Sequence, residues 1–128
     1  MKVLLDTHAF LWWLTDDFQL SDTAKATIAN PVNTIYFSVV SAWEIIIKER
    51  TGKLSLPEPP ETYIPSRLAS NRFISLNVQM EHVLQIAALP DHHRDPFDRL
   101  LIAQSQIENI PLLTLDRSIG KYAVNIIW

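Results

Sequence analysis

The chain has 128 residues, which is the size of one domain, since domains commonly hold roughly 100–150 residues. Hydrophobic residues make up 48% and only two residues are glycine, so the composition excludes a disordered chain and predicts a single domain over 1–128. The chain has no cysteine, which excludes disulfides, a thiolate nucleophile and a metal site with cysteine ligands. The net charge of −3 does not by itself favour a nucleic-acid binder.

The first half of the chain is predicted to alternate strands and helices. Its elements are a strand at 2–5, helices at 8–15 and 22–29, a strand at 34–38 and a helix from 39 to about 51. The strands are short apolar or β-prone runs, and the first one ends directly in Asp6. Ser21 is a good helix cap, and Gly52 stops the last of these helices.

The second half continues this alternation after a proline-rich connection at 56–60. Its elements are a helix at 61–70, a strand at 73–76, helices at 78–89 and 96–108, and strands at 111–115 and 125–127. Pro65 disfavours the first of these helices, and a polar loop at 90–94 precedes the third. Within the helix at 78–89, the apolar side chains are expected to face inward: Met80, Val83, Leu84, Ile86 and Ala87.

Short apolar strands that alternate with helices predict a parallel sheet with helices on both faces. We therefore expect an α/β protein, built as a three-layer α/β/α sandwich with a mainly parallel central sheet. Sheets of this kind bind ligands at the carboxyl ends of their strands, where the strand order reverses. The residues that follow the strands are accordingly the first candidates for a functional site.

Four acidic residues lie at or near those strand ends. Asp6 follows the first strand, and Asp116 follows the strand at 111–115. Glu44 lies one turn into the helix after the second strand, and Asp98 begins another helix. Grouped carboxylates raise one another's pKa unless a cation compensates, and oxygen ligands of this kind suit Mg²⁺ or Mn²⁺. Such ions activate water and stabilise a leaving oxygen, so the pattern is typical of a metal-dependent nuclease.

Each acid also has an ordinary structural explanation. Asp6 is a preferred cap for the helix that follows it. Residues 41–44 have the spacing of a capping box, in which Glu44 would only return a hydrogen bond to the backbone. Asp95 is a good helix cap, which makes Asp98 a first-turn acid favoured by the helix dipole. Asp116 is a candidate cap for a short helix after it. From the residues taken singly, these alternatives stay open.

Four segments of the chain resemble the motifs of PIN-domain proteins related to the VapC toxins. The segments are LLDTHAFLW at 4–12, SAWEI at 41–45, HRDPFDRLLIAQ at 93–104 and LTLD at 113–116. The first and third are long, and all four occur in the family's order. The resemblance therefore covers nearly the whole chain.

This resemblance implies that Asp6, Glu44 and Asp98 bind metal, with Asp116 as a more weakly attached fourth acid. It implies a PIN-like sandwich, Mg²⁺ or Mn²⁺ as the cofactor, and endonucleolytic hydrolysis of RNA. It further implies a protein antitoxin as partner and a homodimer. Asp98 stands in register with the family's acid, so Asp95 is left as a helix cap.

Several neighbours of the acids are candidates for supporting roles. Thr7 and Thr114 are placed to hydrogen-bond a carboxylate or a water at the metal, although threonines satisfied by the backbone are an equal alternative. The arginines near the acids are candidates for holding phosphate: Arg94, Arg99 and Arg117.

Aromatic and histidine side chains offer further candidates. The aromatic residues Phe10, Trp12 and Trp13 are expected mainly in the core, with one face left exposed for RNA bases or an antitoxin segment. The histidines lack zinc-site spacing, so no zinc site is predicted at His8, His92 or His93.

The sequence thus predicts a metal-dependent endoribonuclease that is the toxin of a toxin–antitoxin pair. A housekeeping PIN nuclease for RNA processing is one alternative. A non-catalytic PIN-like binding module is another, disfavoured because a binding surface has no need of mutually repelling acids. No run approaches the roughly 18 apolar residues of a membrane span, and Asp6 interrupts the first apolar run, so we expect a cytoplasmic protein without membrane association.

Overall fold

Five short strands form the central sheet of the computed structural model, which describes residues 1–128. The strands are β1 (Lys2–Leu5), β2 (Thr34–Ser38), β3 (Ile74–Leu76), β4 (Leu112–Leu113) and β5 (Ile126–Ile127). Their order across the sheet is β3-β2-β1-β4-β5, and every neighbouring pair is parallel. The predicted α/β architecture with a parallel central sheet is confirmed.

Six α-helices connect and cover these strands. They are α1 (Thr7–Thr15), α2 (Asp22–Ala29), α3 (Val39–Arg50), α4 (Pro60–Asn71), α5 (Met80–Gln85) and α6 (Pro96–Glu108). Two 3₁₀ turns follow α5 and β4, at Ile86–Ala88 and Arg117–Lys121. None of the helices combines the length and the apolar character needed to cross a membrane.

The sheet separates two hydrophobic cores. Side chains alternate along β1, so Val3 and Leu5 pack into one core and Leu4 into the other. Helices α1, α2 and α4 contribute to the first core, for example through Phe10, whereas α6 contributes Leu101 to the second. Because both faces are covered, the strands are apolar on both sides rather than amphipathic.

The strand order reverses beside β1. The chain runs from β1 outward to β2 and β3 on one side, and it then returns to place β4 and β5 on the other. Leu5 and Leu113 pair at the carboxyl ends of β1 and β4, so Asp6 and Thr114 follow side by side. This edge is the position at which open α/β sheets bind ligands.

The helix predicted at 78–89 was wrong in length and orientation. The α-helix ends at Gln85 and continues only as a 3₁₀ turn. Met80 and Leu84, expected to face inward, are 73% and 64% exposed, and Val83 and Ala87 are exposed as well. Of the five residues expected to face inward only Ile86 is half-buried, and the buried apolar residue of the segment is Leu89 at its end.

A polar arrangement fixes α5 instead. His82 is fully buried, and its Nδ1 accepts a hydrogen bond from the Gln79 backbone N–H at 2.9 Å. Its Nε2 lies 2.8 Å from the carboxylate of Glu108 at the end of α6. His82 thus caps α5 and joins it to Glu108, which is distant in sequence. Neither contact produces a periodic pattern of apolar residues from which the helix could be predicted.

The remaining boundaries agree with the prediction or differ from it by one or two residues. The first helix begins at Thr7 because Asp6 caps it, and α4 begins at Pro60 and accommodates Pro65. The strand predicted at 111–115 is confined to two residues, and the one predicted at 73–76 begins at Ile74. Helix and strand ends commonly vary on this scale.

Candidate active site

Asp6 lies at the end of β1 and is almost fully buried. Its Oδ1 accepts a hydrogen bond from the Ala9 backbone N–H at 2.7 Å, and its Oδ2 accepts one from the Thr114 hydroxyl at 2.5 Å. Burial raises the pKa of Asp6, these hydrogen bonds lower it in part, and the nearby charge of Glu44 raises it again. Capping does not exclude metal binding, because each carboxylate oxygen has a second lone pair.

Glu44 is buried in the second turn of α3, near Asp6. Its Oε1 accepts a hydrogen bond from the Thr7 hydroxyl at 2.6 Å, and its Oε2 pairs with Lys48 Nζ at 2.6 Å. The cap of α3 is Ser38, which lies one turn before Ser41. The capping-box alternative for Glu44 is therefore wrong, because the glutamate lies too far inside the helix to reach its first residues.

Asp98 lies in the first turn of α6, and Asp95 caps that helix as expected. The Asp95 carboxylate accepts hydrogen bonds from two backbone N–H groups of the turn, at 2.8 and 3.3 Å. The pKa of Asp98 is raised to about 7. Burial is the largest cause and the charges of Asp95, Glu44 and Asp6 add to it, while His93 acts in the opposite direction. The structure thus places Asp98 in the combined field of the other acids.

Asp116 follows β4 and caps the 3₁₀ turn after it. Its Oδ1 accepts hydrogen bonds from the Ser118 backbone N–H and hydroxyl at 3.0 and 2.6 Å, and its Oδ2 accepts one from His93 Nε2 at 3.2 Å. Burial raises the pKa of Asp116, but the hydrogen bonds from Ser118 and His93 outweigh it and lower the pKa overall. Asp116 is thus the most exposed and the most fully hydrogen-bonded of the four acids.

Two threonines predicted to support the acids contact them directly. Thr7 donates to Glu44 and also lies 2.9 Å from the Ser41 hydroxyl. Thr114 donates to Asp6 and accepts a hydrogen bond from the Asp116 backbone N–H at 3.1 Å. Both hydroxyls are buried, so each one fixes the orientation of a carboxylate at this edge of the sheet.

The three arginines near the acids occupy different positions. Arg99 donates to the backbone carbonyls of Pro90 and His93 at 3.0 and 3.2 Å, and its guanidinium is mostly buried against that loop. Arg94 and Arg117 are exposed and form no hydrogen bond or ion pair within the chain. The guanidinium of Arg99 is thus engaged by the chain itself, whereas the other two arginines are available to a ligand.

An aromatic cleft of about 250 Å³ adjoins the acids. Its walls are His8, Trp12 and Leu115, and Asp6 and Asp116 line the same space. The other aromatic residues of α1 turn inward, as expected: Phe10 is fully buried, and Trp13 is partly buried with its indole N–H bonded to Asn71. Of Phe10, Trp12 and Trp13, only Trp12 lies beside the site.

Sequence reasoning missed three residues that contact the acids: Lys48, His93 and Ser118. Lys48 is four residues after Glu44, a spacing that brings side chains together on one helix face. Ser118 follows Asp116 at the spacing of a local capping turn. His93 is the first residue of the motif at 93–104, but no local signal predicts its contact with Asp116, which depends on how the loop at 90–95 folds back.

The site has an excess of negative charge. Four carboxylates lie at one edge of the sheet, and Lys48 is the one lysine or arginine that pairs with any of the four. The donor atoms are carboxylate oxygens, and no thiolate is available. This donor set fits a hard divalent cation such as Mg²⁺ or Mn²⁺, which would offset the mutual repulsion of the acids.

Comparison with known sequences identifies two relationships. The family model described as the PIN domain matches residues 3–125. A protein named Ribonuclease VapC16, from Mycobacterium tuberculosis, is 40% identical over 58 residues. That aligned segment covers 45% of this chain and 41% of the relative, so it spans less than half of either protein.

Comparison with solved structures identifies the same fold. The chain matches VapBC2 from Rickettsia felis, solved with a DNA fragment from its promoter, with a TM-score of 0.72 and 15% identity over 98% of this chain and 97% of the other. It matches VapBC-1 from nontypeable Haemophilus influenzae with a TM-score of 0.62 and 15% identity, over 98% and 96% of the two chains. A toxin–antitoxin complex from Klebsiella pneumoniae gives 0.60 and 19%, with the same coverage.

Proposed function

The chain belongs to the PIN domain family, and from that membership we propose that it is a Mg²⁺- or Mn²⁺-dependent endoribonuclease, acting in the cytoplasm as the toxin of a toxin–antitoxin pair. One observation carries the proposal. Four acids from four separate segments converge where the strand order reverses, and burial, together with the charges of Asp95, Glu44 and Asp6, raises the pKa of Asp98 to about 7. A protein gains nothing in stability from such an arrangement, so a cation is the natural occupant.

Asp6 and Asp98 are the proposed principal ligands. Asp6 is held from both sides by hydrogen bonds from Ala9 and Thr114, which leave a lone pair on each oxygen. The Asp98 carboxylate has no hydrogen-bond donor within the chain other than His93, whose Nε2 lies 3.2 Å from Oδ2. Its oxygens are therefore the least occupied of the four acids, which suits a residue that binds an ion directly.

Glu44 and Asp116 are proposed to complete the set with weaker attachment. Glu44 already pairs with Lys48, so its charge is partly offset before any ion arrives. Asp116 accepts three hydrogen bonds, two from Ser118 and one from His93. Both acids are thus better placed to orient water or to shape the field than to bind an ion alone.

A divalent cation at this site would supply Lewis-acid stabilisation of the phosphate and would acidify water. The chain's own groups hold the acids in place: the Thr7 and Thr114 hydroxyls orient two of them, and Asp95 fixes the first turn of α6. Arg94 and Arg117, both exposed, are proposed to contact the RNA phosphates. No serine, cysteine or histidine nucleophile is required.

Cleavage of matched single-stranded RNA and DNA tests the nuclease assignment. We expect chelator-treated protein to be inactive, Mg²⁺ or Mn²⁺ to restore RNA cleavage, and DNA to be spared. Asp6→Asn should abolish cleavage with little change in fold, because it removes ligand charge and little volume. Asp91→Asn is the matched control, since its side chain is fully exposed, and it should cut normally. Full activity of Asp6→Asn would contradict the assignment.

The proposed antitoxin has a candidate docking surface beside the site. A groove of about 510 Å³ adjoins His8 and Trp12 and is lined by apolar residues that include Leu54 and Leu56. Lys48 and Lys53 lie along the same groove, as would suit a partner with apolar and acidic side chains. The structural relatives solved as toxin–antitoxin complexes support this choice of partner.

The toxin role is tested in the cell. Unopposed expression should stop growth, and the product of a short adjacent reading frame should copurify with the chain and inhibit cleavage. A housekeeping RNA-processing nuclease would instead leave growth unaffected when overexpressed. A non-catalytic module would cut no RNA at any metal concentration. These outcomes separate the three possibilities.

A homodimer is proposed from the exposed face of α3. Val39, Trp43, Ile46 and Ile47 lie on that helix with side chains at least 37% exposed. Trp43 packs edge-on against Phe97 of α6, with ring centroids 4.9 Å apart, and so continues the apolar surface onto a second helix. An apolar surface of this kind is typical of an interface between subunits.

A further inference from the structure

His93 lies between two of the acids. Its Nε2 is 3.2 Å from Oδ2 of Asp116, to which it donates a hydrogen bond, and 3.2 Å from Oδ2 of Asp98. We propose that His93 is a positioning residue, which holds these two carboxylates side by side and sets their orientation toward the divalent cation. The inference rests on the proposed function, because the metal site is the one proposed above.

The hydrogen bonds of the ring determine which nitrogen carries the proton. Nδ1 accepts a hydrogen bond from the Asp95 backbone N–H at 3.2 Å, so it carries no hydrogen. In the neutral ring the hydrogen is then on Nε2, the atom that faces Asp116 and Asp98. His93 therefore acts as a donor to the acids rather than as a metal ligand, since ligation through Nε2 would require that atom to be unprotonated.

The loop that carries His93 is tied to α6. Arg99 donates to the carbonyl oxygens of His93 at 3.2 Å, of Pro90 at 3.0 Å and of Ile86 at 3.4 Å. Arg99 is the residue directly after Asp98, so one helix turn presents an acid to the site and clamps the loop of the histidine that contacts it. The relative position of His93 and Asp98 is thereby restricted.

The contacts of His93 join two acids that lie on separate elements of the fold. Asp98 is on α6, whereas Asp116 follows β4 and is already bound through Oδ1 by Ser118. The His93 N–H occupies the other oxygen of Asp116, so three donors fix that carboxylate. Partners of this kind typically change metal affinity by roughly 10–100-fold.

Two substitutions of His93 test the role by Mn²⁺ binding, measured by electron paramagnetic resonance on chelator-stripped protein. His93→Ala removes the donor, and we expect Mn²⁺ affinity to fall by roughly 10–100-fold. His93→Gln places an amide N–H near the position of Nε2, so it should recover a substantial part of the loss. Both variants should keep the far-ultraviolet circular dichroism of the wild type.

His92→Ala is the matched control. His92 is the neighbouring residue in the same loop, but its ring packs edge-on against Tyr122, with centroids 5.2 Å apart, and it contacts none of the acids. We expect its Mn²⁺ affinity to equal that of the wild type. Wild-type affinity in both His93 variants would overturn the inference, as would an equal loss in His92→Ala.

A second measurement does not depend on the metal. Long-range ¹H–¹⁵N spectra of the metal-free protein should show the hydrogen of His93 on Nε2, and a hydrogen on Nδ1 would overturn the inference even if His93→Ala does not fold. Failure of the proposed function is a separate result: wild-type protein that binds Mn²⁺ but cuts no RNA. In that case the His93 variants still decide the positioning role by their Mn²⁺ affinity.

Discussion

Replacing Asp98 with asparagine is predicted to stabilise the metal-free protein while it abolishes RNA cleavage. Asp98 is held in the folded chain at a pKa of about 7, against an ordinary value of 3.8, because burial and the nearby acids disfavour its charge. Folding therefore forces a carboxylate into a site that resists ionisation. Asparagine keeps the shape of the side chain and carries no charge, so Asp98→Asn removes that penalty.

The pH dependence follows from the direction of this shift. The folded state holds a proton on Asp98 more tightly than the unfolded chain does, so the contribution of Asp98 to the free energy of unfolding is most favourable below about pH 4. That contribution is lost as the pH rises toward about 7. At about 1.4 kcal/mol per pH unit the full loss is about 4 kcal/mol. With 23% of the side chain exposed to solvent, we expect about 2 to 4 kcal/mol.

Urea unfolding of chelator-treated protein at pH 5 and pH 8 measures the effect. Asp98→Asn should exceed the wild type in unfolding free energy at pH 8, and the difference should shrink at pH 5, where the wild-type carboxyl is protonated. Mg²⁺ at pH 8 should stabilise the wild type and leave the variant nearly unchanged. If the unfolding free energies of the wild type and Asp98→Asn depended on pH in the same way, the raised pKa of Asp98 would be refuted. Asp91→Asn should match the wild type at both pH values.

Three further substitutions test other contacts. Thr7→Val leaves Glu44 without its hydroxyl donor and should lower the free energy of unfolding in urea by about 1–3 kcal/mol, whereas Thr7→Ser should retain the stability. An unchanged unfolding midpoint for Thr7→Val would count against the contact. Trp12→Leu should raise the KM for single-stranded RNA roughly tenfold with kcat unchanged, if bases stack in the cleft beside the acids, and Trp12→Phe should raise it less. Trp43→Asp should convert a dimer to a monomer in sedimentation analysis, and a wild-type sedimentation profile would argue against an interface on α3.

Local patterns predicted the sheet well and one helix poorly. The strands are apolar on both faces because both faces are covered, so runs such as Val3 to Leu5 are recognisable without knowledge of the fold. At 78–89 the apolar residues suggested an inward stripe, but Met80 and Leu84 lie in solvent. The buried side chain of α5, His82, depends on Glu108 of another helix, and no window of local sequence contains both.

The position of a site residue could be predicted where the residue directly follows a strand of the sheet. Asp6 follows β1, so the topology alone brings it to the edge at which α/β sheets bind ligands. Glu44 was ambiguous because a capping box has the same spacing, and the cap at Ser38 settles that point. His93 was missed because its contact with Asp116 spans 23 positions and depends on the folded path of a loop.

The most direct test of the metal site measures cation binding and RNA cleavage in the same samples. Mn²⁺ binding and RNA cleavage should be titrated in parallel for the wild type, Asp98→Asn and Asp91→Asn. Cleavage should rise with Mn²⁺ occupancy in the wild type and in Asp91→Asn, whereas Asp98→Asn should lose both together. Cleavage that persists without a divalent cation, or Asp98→Asn protein that binds Mn²⁺ and cuts RNA like the wild type, would contradict a metal-dependent site.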